Sequence, residues 1–177
     1  MKPIATALCA LSVLALGACE QPKPRNIPPD PLAAPPAAAV VPQPVEGRTA
    51  ALRKREEYPA AYVDHLGAAA DPLRNPPAVT PAGVPTQFDG FAYDGVAKAP
   101  AKGVEVVIDS KAYVAEYGKP RADVMAFTKN PALGNTGYVL VLPGADLPAG
   151  PHTLRLRVIA SDGASYYEVP AIPFNAK

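Results

Sequence analysis

The sequence predicts an all-β protein, in which residues 58–177 form a single immunoglobulin-like antiparallel β-sandwich. From about Tyr58 onward, apolar and polar side chains alternate with a period of two. Clusters of Pro, Gly, Asp and Asn interrupt this alternation about every eight to twelve residues, as in sandwiches and barrels. The chain also contains 24 prolines among 177 residues, which is too many for a mainly helical protein. We therefore expect about six to eight short strands joined by tight turns.

The clearest strand is the segment 153–159, where leucines and valine alternate with two arginines. Such alternation predicts one buried face and one wet face. The Asp162-Gly163 dipeptide that follows is typical of hairpin turns and predicts a return strand over 165–169.

Upstream, apolar residues alternate with Glu105 and Asp109 across 104–109, and a Ser-Lys link leads into 112–117. This pattern predicts a second hairpin. Residues 138–142 are apolar at every position, which favours a central strand covered on both faces and ended by the following Pro-Gly. A further strand is predicted over 88–93, flanked by Asp-Gly dipeptides.

The first 18 residues have the pattern of a signal peptide, with Lys2 followed by an apolar stretch over 4–16. This stretch is too short to span a hydrocarbon core of about 30 Å. It ends in Leu-Gly-Ala-Cys19, which resembles the lipobox of bacterial lipoproteins. The resemblance implies that Cys19 carries a diacylglycerol after cleavage. The alternative is an ordinary signal-peptidase site with a cysteine nearby by chance.

Lipidation would leave the mature chain without a free thiol, because Cys9 leaves with the signal peptide. That excludes a disulfide, a cysteine nucleophile and a cysteine metal site. The chain has 17 basic and 16 acidic side chains, so no positive field favours nucleic acid. Attachment to the membrane would therefore depend on the covalent lipid anchor.

Residues 19–57 are predicted to be a Pro/Ala-rich linker, with nine prolines and five alanines between positions 20 and 45. Such a segment is expected to be disordered with polyproline II content, and so to act as a semi-rigid spacer. The alternative is a docking ligand for an aromatic-lined groove. Good helix formers over 48–57 predict a short, marginal helix with a solvated face.

Several motifs occur in an order that resembles a small β-sandwich module appended to bacterial membrane and cell-surface proteins, some associated with surface polysaccharide. They lie at 61–64, 89–94, 103–109, 117–124, 136–138 and 150–154. The chain departs from that module's pattern at Phe91, Ser110, Ala122 and Tyr138, where the module has Trp, Gly, Pro and Phe. The resemblance implies a first strand at 62–66, a segment whose own residues leave helix and strand open. It supplies no catalytic residues.

The loop 117–123 is the most distinctive local feature because it combines Gly, Pro and Arg. We expect Arg121 to organise this loop by binding Asp123 or backbone carbonyls. The alternative is a ligand-binding ledge in which Tyr113, Tyr117 and Arg121 meet sugar hydroxyls or carboxylates.

Neither His65 nor His152 has a partner at metal-ligand spacing, so no metal and no cofactor is expected. We expect His152 to bond a turn carbonyl. Asp89, Asp94 and Asp162 each precede a glycine, a pattern that can supply calcium ligands but more often marks a turn. No Gly-x-Ser-x-Gly elbow is present.

The sequence therefore predicts a membrane-anchored lipoprotein that presents a non-catalytic binding or scaffolding module in the cell envelope. Its expected partners are the membrane, through the lipid, and an envelope protein or glycan, but not nucleic acid. Glu20 after the lipidated cysteine favours the outer membrane, facing the periplasm. The alternatives are a passive structural lipoprotein, a carbohydrate-binding accessory, or an enzyme that would rely on His65 and Arg121.

Overall fold

Short strands dominate residues 47–177, the part of the chain that the computed structural model describes. The strands are β1 (Arg53–Lys54), β2 (Ala60–Leu66), β3 (Ala69–Ala70), β4 (Ala78–Thr80), β5 (Thr86–Asp94), β6 (Ala99–Pro100), β7 (Gly103–Ile108), β8 (Lys111–Val114), β9 (Glu116–Lys119), β10 (Gly137–Leu142), β11 (Gly150–Ile159), β12 (Ser165–Glu168) and β13 (Ile172–Ala176). One α-helix, α1 (Ala122–Thr128), and single turns of 3-10 helix at Arg48–Ala51, Pro131–Leu133 and Gly144–Asp146 complete this part. The predicted signal peptide, the lipidation at Cys19 and the linker up to residue 46 lie outside the described residues.

The strands form two sheets. In sheet A, β8, β7 and β11 lie side by side, and the other edge of β11 pairs with β12 over one half and with β13 over the other. In sheet B the order is β3, β2, β5, β10 and β9, and β6 pairs with the end of β5. The predicted all-β sandwich is confirmed. Most pairings are antiparallel, but β1 with β12 and β4 with β13 pair in parallel.

Both predicted hairpins are present, but the return strand predicted over 112–117 ends at Val114, and Glu116–Lys119 form β9 in sheet B. β7 and β8 pair antiparallel across the turn that follows Ile108. β11 and β12 pair antiparallel around Asp162-Gly163, whose carboxylate accepts hydrogen bonds from the Ala164 and Ser165 amides. The implied first strand is also present as β2.

β10 is central in sheet B, between β5 and β9, and it ends before Pro143 as predicted. However, Val141 is 45% exposed, so the prediction that β10 is covered on both faces is wrong. Only its inward residues, such as Leu140 and Leu142, are buried.

The Asp89-Gly90 dipeptide lies inside β5 rather than at its edge. Gly90 is required there because a Cβ would lie 2.0 Å from the Tyr62 carbonyl oxygen and 2.8 Å from the Tyr138 hydroxyl. The close approach coincides with a bulge in β2. The dipeptide therefore serves a bulge and not a turn.

The core lies between the two sheets and is built from the inward residues of each strand. Sheet A contributes Val106, Leu156 and Phe174, and sheet B contributes Phe88, all fully buried or nearly so. The rings of Phe88 and Phe174 meet edge to face, with centroids 6.2 Å apart. This aromatic contact joins the two sheets directly.

The helix predicted over 48–57 is wrong beyond its first turn. The structure has one 3-10 turn, Arg48–Ala51, and then strand β1. Thr49 covers Glu105 on the outer face of sheet A: its hydroxyl donates to the carboxylate at 2.8 Å, and Glu105 is fully buried. The alternation in β7 predicts a solvent-exposed Glu105, but the turn that contains Thr49 covers this side chain and excludes water from it.

Strand β1 is held at the edge of sheet A by side chains as well as by its pairing with β12. Lys54 donates to Glu168 at 2.8 Å, and Arg55 donates to Ser165 at 2.8 Å and to Tyr167 at 2.6 Å. The folded part thus extends upstream of the predicted boundary at residue 58. No helix within residues 47–177 is long and apolar enough to cross a membrane.

Candidate functional site

A cleft of about 690 Å³ opens on the outer face of sheet B. Its polar lining consists of Asp64, His65, Gln87, Asp89, Lys119 and Arg121. Three glycines, Tyr138 and Val139 form the remainder. We call this the sheet B cleft.

Strand alternation places these side chains outward. In β5, Gln87 and Asp89 alternate with the buried Phe88. In β2, His65 lies directly opposite Asp89 in the register. The same alternation that builds the core therefore gathers polar groups on the opposite side of the sheet.

The bulge in β2 brings a further carboxylate to the site. The register shifts between Val63 and His65, so Asp64 lies opposite no residue of β5. Its side chain accepts a hydrogen bond from Arg121 Nη1 at 2.5 Å. Bulges commonly redirect a side chain in this way.

Arg121 is the centre of the polar network. Its Nε and Nη2 atoms donate to the two oxygens of Asp123 at 2.8 Å and 2.6 Å, while Nη1 donates to Asp64. Its guanidinium also lies over the Phe91 ring, 4.9 Å from the centroid. The predicted contact between Arg121 and Asp123 is present.

These contacts fix the charges of the network. The hydrogen bond to Asp123 raises the pKa of Arg121 against the opposing effect of burial, and Asp64 adds to the increase. In return, the pKa of Asp123 falls to about 2 because of its bond to Arg121. Arg121 therefore remains a cation, and Asp123 remains its carboxylate partner, at ordinary pH values.

Gly137 provides the space in which Arg121 lies. A Cβ at this position would be 3.0 Å from the Lys119 Cβ and 3.1 Å from the Arg121 Cγ. Any larger residue would thus displace the two cationic side chains of the cleft.

A second network is centred on Asp89. Its Oδ1 lies 2.8 Å from His65 Nδ1, and its Oδ2 accepts from Gln87 Nε2 at 2.7 Å. The bond and the charge of Asp89 raise the pKa of His65. With Nδ1 directed to the carboxylate, the Nε2 atom of this half-exposed ring is available to a ligand.

Three aromatic rings lie on the same outer face, beside Arg121. Tyr62 and Phe91 have centroids 6.3 Å apart and planes within 17° of parallel, and Phe91 and Tyr93 have the same spacing and an angle of 18°. The Tyr62 hydroxyl donates to Asp71, which holds the first ring in place. We call these rings the aromatic row.

The structure does not place Tyr113, Tyr117 and Arg121 on one surface, as the predicted ligand-binding ledge requires. Tyr113 is fully buried in the core, opposite Val106 in the register, and burial raises its pKa to about 12. Tyr117 is also turned inward, and its hydroxyl bonds the Ala92 carbonyl and the Ala101 amide. The prediction that these two tyrosines share a surface with Arg121 is wrong, because alternation directs both toward the core.

Sequence reasoning identified Arg121 and Asp123 but not Gln87 or Lys119 as site residues, and it considered Asp89 only as a turn or calcium residue. One signal was available: Gln87 and Asp89 are the outward positions of an alternating strand. Nothing in the sequence indicated that the bulge would bring Asp64 to Arg121.

The other candidate residues lie elsewhere. His152 Nε2 bonds the Pro148 carbonyl at 2.8 Å, as predicted, and Nδ1 bonds Asp109 at 2.8 Å. Asp94 accepts bonds from Ser161 and Tyr167. Within residues 47–177, no three side chains of His, Cys, Asp or Glu converge as a metal site would require.

The cleft is suited to forming hydrogen bonds. Its lining holds a His-Asp pair, but no serine, threonine or cysteine is among the described residues that line it.

Comparison with known proteins finds no match. No family model matches the chain, and no curated protein or solved structure does so either. The resemblance to the envelope-associated β-sandwich module therefore stays a prediction that rests on the motifs.

Proposed function

We propose that this protein is a membrane-anchored lipoprotein whose β-sandwich is a non-catalytic binding module in the cell envelope. The lipid would be attached at Cys19, and the module would face the periplasm from the outer membrane. The sheet B cleft would be its binding face. The observation that carries the proposal is the double network around Arg121 and Asp89, which holds polar groups in fixed positions on an open surface.

Preorganisation supports a binding role for the cleft. Ordering a long side chain on binding costs about 0.5–1.5 kcal/mol. Arg121 is already ordered by Asp64, Asp123 and the Phe91 ring. A ligand would therefore meet fixed donors and acceptors and would not have to order them.

The partner should be retained from envelope extracts by the full-length chain. The double variant His65→Ala/Gln87→Ala removes two cleft groups whose only side-chain hydrogen-bond partner within residues 47–177 is Asp89. We expect it to retain far less of the partner, with no change in thermal unfolding. Arg155→Ala, a half-exposed position on sheet A, is the matched control and should retain as much as the wild type. Equal retention by all three proteins would contradict a binding role for the cleft and would favour a passive structural lipoprotein.

The anchor is tested separately. Mass spectrometry of the purified chain should find a lipid-modified Cys19 at the mature amino terminus. Cys19→Ser should release the protein from the membrane fraction, whereas the unrelated Cys9→Ser should leave it there. An unmodified Cys19 would overturn the lipoprotein proposal without affecting the cleft.

A further inference from the structure

We infer that the ligand of the sheet B cleft is a neutral, polyhydroxylated chain, that is, an uncharged glycan. This inference rests on the proposed binding role of the cleft and specifies its ligand. It follows from the way the charges of the cleft are paired and from the surface beside it.

An anionic ligand fits the cleft poorly. Each of its two cations already has a carboxylate partner: Arg121 has Asp64 and Asp123, and Lys119 is bonded to Glu116. Asp64 and Asp89 would also repel a phosphate or a sulfate. Sites for such anions need an excess of positive charge, which cations already paired with carboxylates do not provide.

Cationic and apolar ligands fit no better. The carboxylate of Asp89 is bonded to His65 and Gln87, and that of Asp64 to Arg121. An apolar ligand would need a lining dominated by hydrophobic side chains, whereas Tyr138 and Val139 are the only hydrophobic side chains among the described residues that line the cleft.

Hydroxyl groups match the hydrogen-bond donors and acceptors that the cleft still offers. Each hydroxyl donates one hydrogen bond and accepts two. The cleft still offers donors on Lys119 and Arg121, the Gln87 amide oxygen as an acceptor, and His65 Nε2, which donates or accepts according to its protonation. A ligand with several neighbouring hydroxyls can satisfy donors and acceptors together without bringing a charge.

The aromatic row continues the surface away from the cleft. Arg121 lines the cleft and also lies over Phe91, so the rings begin where the polar groups end. Aromatic faces are electron-rich and attract the positively polarised edges of neighbouring groups, and sugar rings present C–H groups of this kind. A glycan of two or more units could therefore place hydroxyls in the cleft and a C–H face against Tyr62 or Tyr93.

The test uses the full-length chain in detergent and polysaccharide released from the envelope of the bacterium that encodes it. Anion exchange separates this material into a neutral and an acidic fraction, and NMR titration of the glycine and glutamine amides measures binding. We expect the neutral fraction to bind and to shift the Gln87 side-chain amide. His65→Ala and Gln87→Ala should each weaken this binding by about fivefold to tenfold, the size expected for one hydrogen bond. Arg155→Ala should not change it.

The outcomes separate the ligand class from the binding role. Binding of the acidic fraction alone, or binding of the neutral fraction that the cleft variants leave unchanged, would overturn the glycan inference. Retention of an envelope protein that depends on the cleft, with no glycan bound, would overturn the inference but keep the proposed function. If neither glycan nor protein binds at the cleft, both proposals fail.

Discussion

At the scale of single residues, Gly90 occupies a position that has no space for a side chain. Because a Cβ would lie 2.0 Å from the Tyr62 carbonyl oxygen, we expect Gly90→Ala to destabilise the fold by at least about 2 kcal/mol, since β2 or β10 must move. Urea unfolding monitored by circular dichroism measures the loss. Gly103→Ala is the matched control, because a Cβ there meets only Ile159 at 3.8 Å. A similarly small loss of stability in both variants would contradict the close approach of Gly90 to the Tyr62 carbonyl.

His152 gives the stability a dependence on pH. Burial opposes its charge, but the bonds to Asp109 and to the Pro148 carbonyl outweigh burial and raise the pKa of His152 above 6.5. The stabilisation is therefore fully present below about pH 6.5 and is lost as the pH rises through the folded-state pKa. The pKa of Asp109 is lowered, although burial opposes this, mainly by the bond from His152. Its contribution is present above about pH 4 and is lost as the pH falls.

We therefore expect His152→Gln to cost about 1.5–3 kcal/mol at pH 5.5, the range for a hydrogen bond to a charged group, and clearly less at pH 8.5. Urea unfolding at the two pH values measures the difference. His65→Gln serves as control, since the side chain of His65 is 53% exposed and its ion pair contributes little. An equal cost of His152→Gln at both pH values would show that protonation of His152 does not stabilise the fold.

At the scale of elements, the segment 47–55 matters most, because it covers the buried side chain of Glu105. Thr49→Val would leave one oxygen of the buried Glu105 without its donor. We expect a loss of about 1–3 kcal/mol in the free energy of unfolding. Thr49→Ser keeps the hydroxyl and should cost much less. If both variants unfold at the same denaturant concentration, Glu105 does not depend on this bond.

The elements that the sequence predicts correctly are those whose signal is local. The alternation in β11 and the Asp162-Gly163 turn are contained within a few neighbouring residues, so the hairpin can be predicted without knowing the rest of the fold. The segment 48–57 has good helix formers, but its conformation is decided by Glu105 and by the edge of β12, which are distant in sequence. Tertiary contacts of this kind override local propensity.

The contacts of the candidate site also fall into those that the local sequence predicts and those that depend on distant strands. The bond between Arg121 and Asp123 spans two positions and is predictable from the loop. The bond between Arg121 and Asp64 depends on a bulge in another strand, and the inward direction of Tyr113 depends on the register of β8. Alternation gives the two faces of a strand but does not say which face is the core when both carry apolar residues.

At the scale of the whole molecule, the packing of one sheet on the other determines cooperativity. Phe88 belongs to sheet B and Phe174 to sheet A, and their rings meet edge to face. We expect the changes Phe88→Leu and Phe174→Leu to be coupled by about 0.5–1.5 kcal/mol in a double-mutant cycle of unfolding free energies. Effects that add to within about 0.3 kcal/mol would show that the two rings act independently.

The arrangement of the two sheets has a practical consequence for biosensor measurements. Gly47 lies against Glu105 and Ala112, on the outer side of one sheet, whereas the cleft opens on the outer side of the other. A chip coupling at this glycine itself would thus attach to the reverse of the proposed binding face. Immobilisation at this position should leave that face free, whereas coupling through Lys119 would block it.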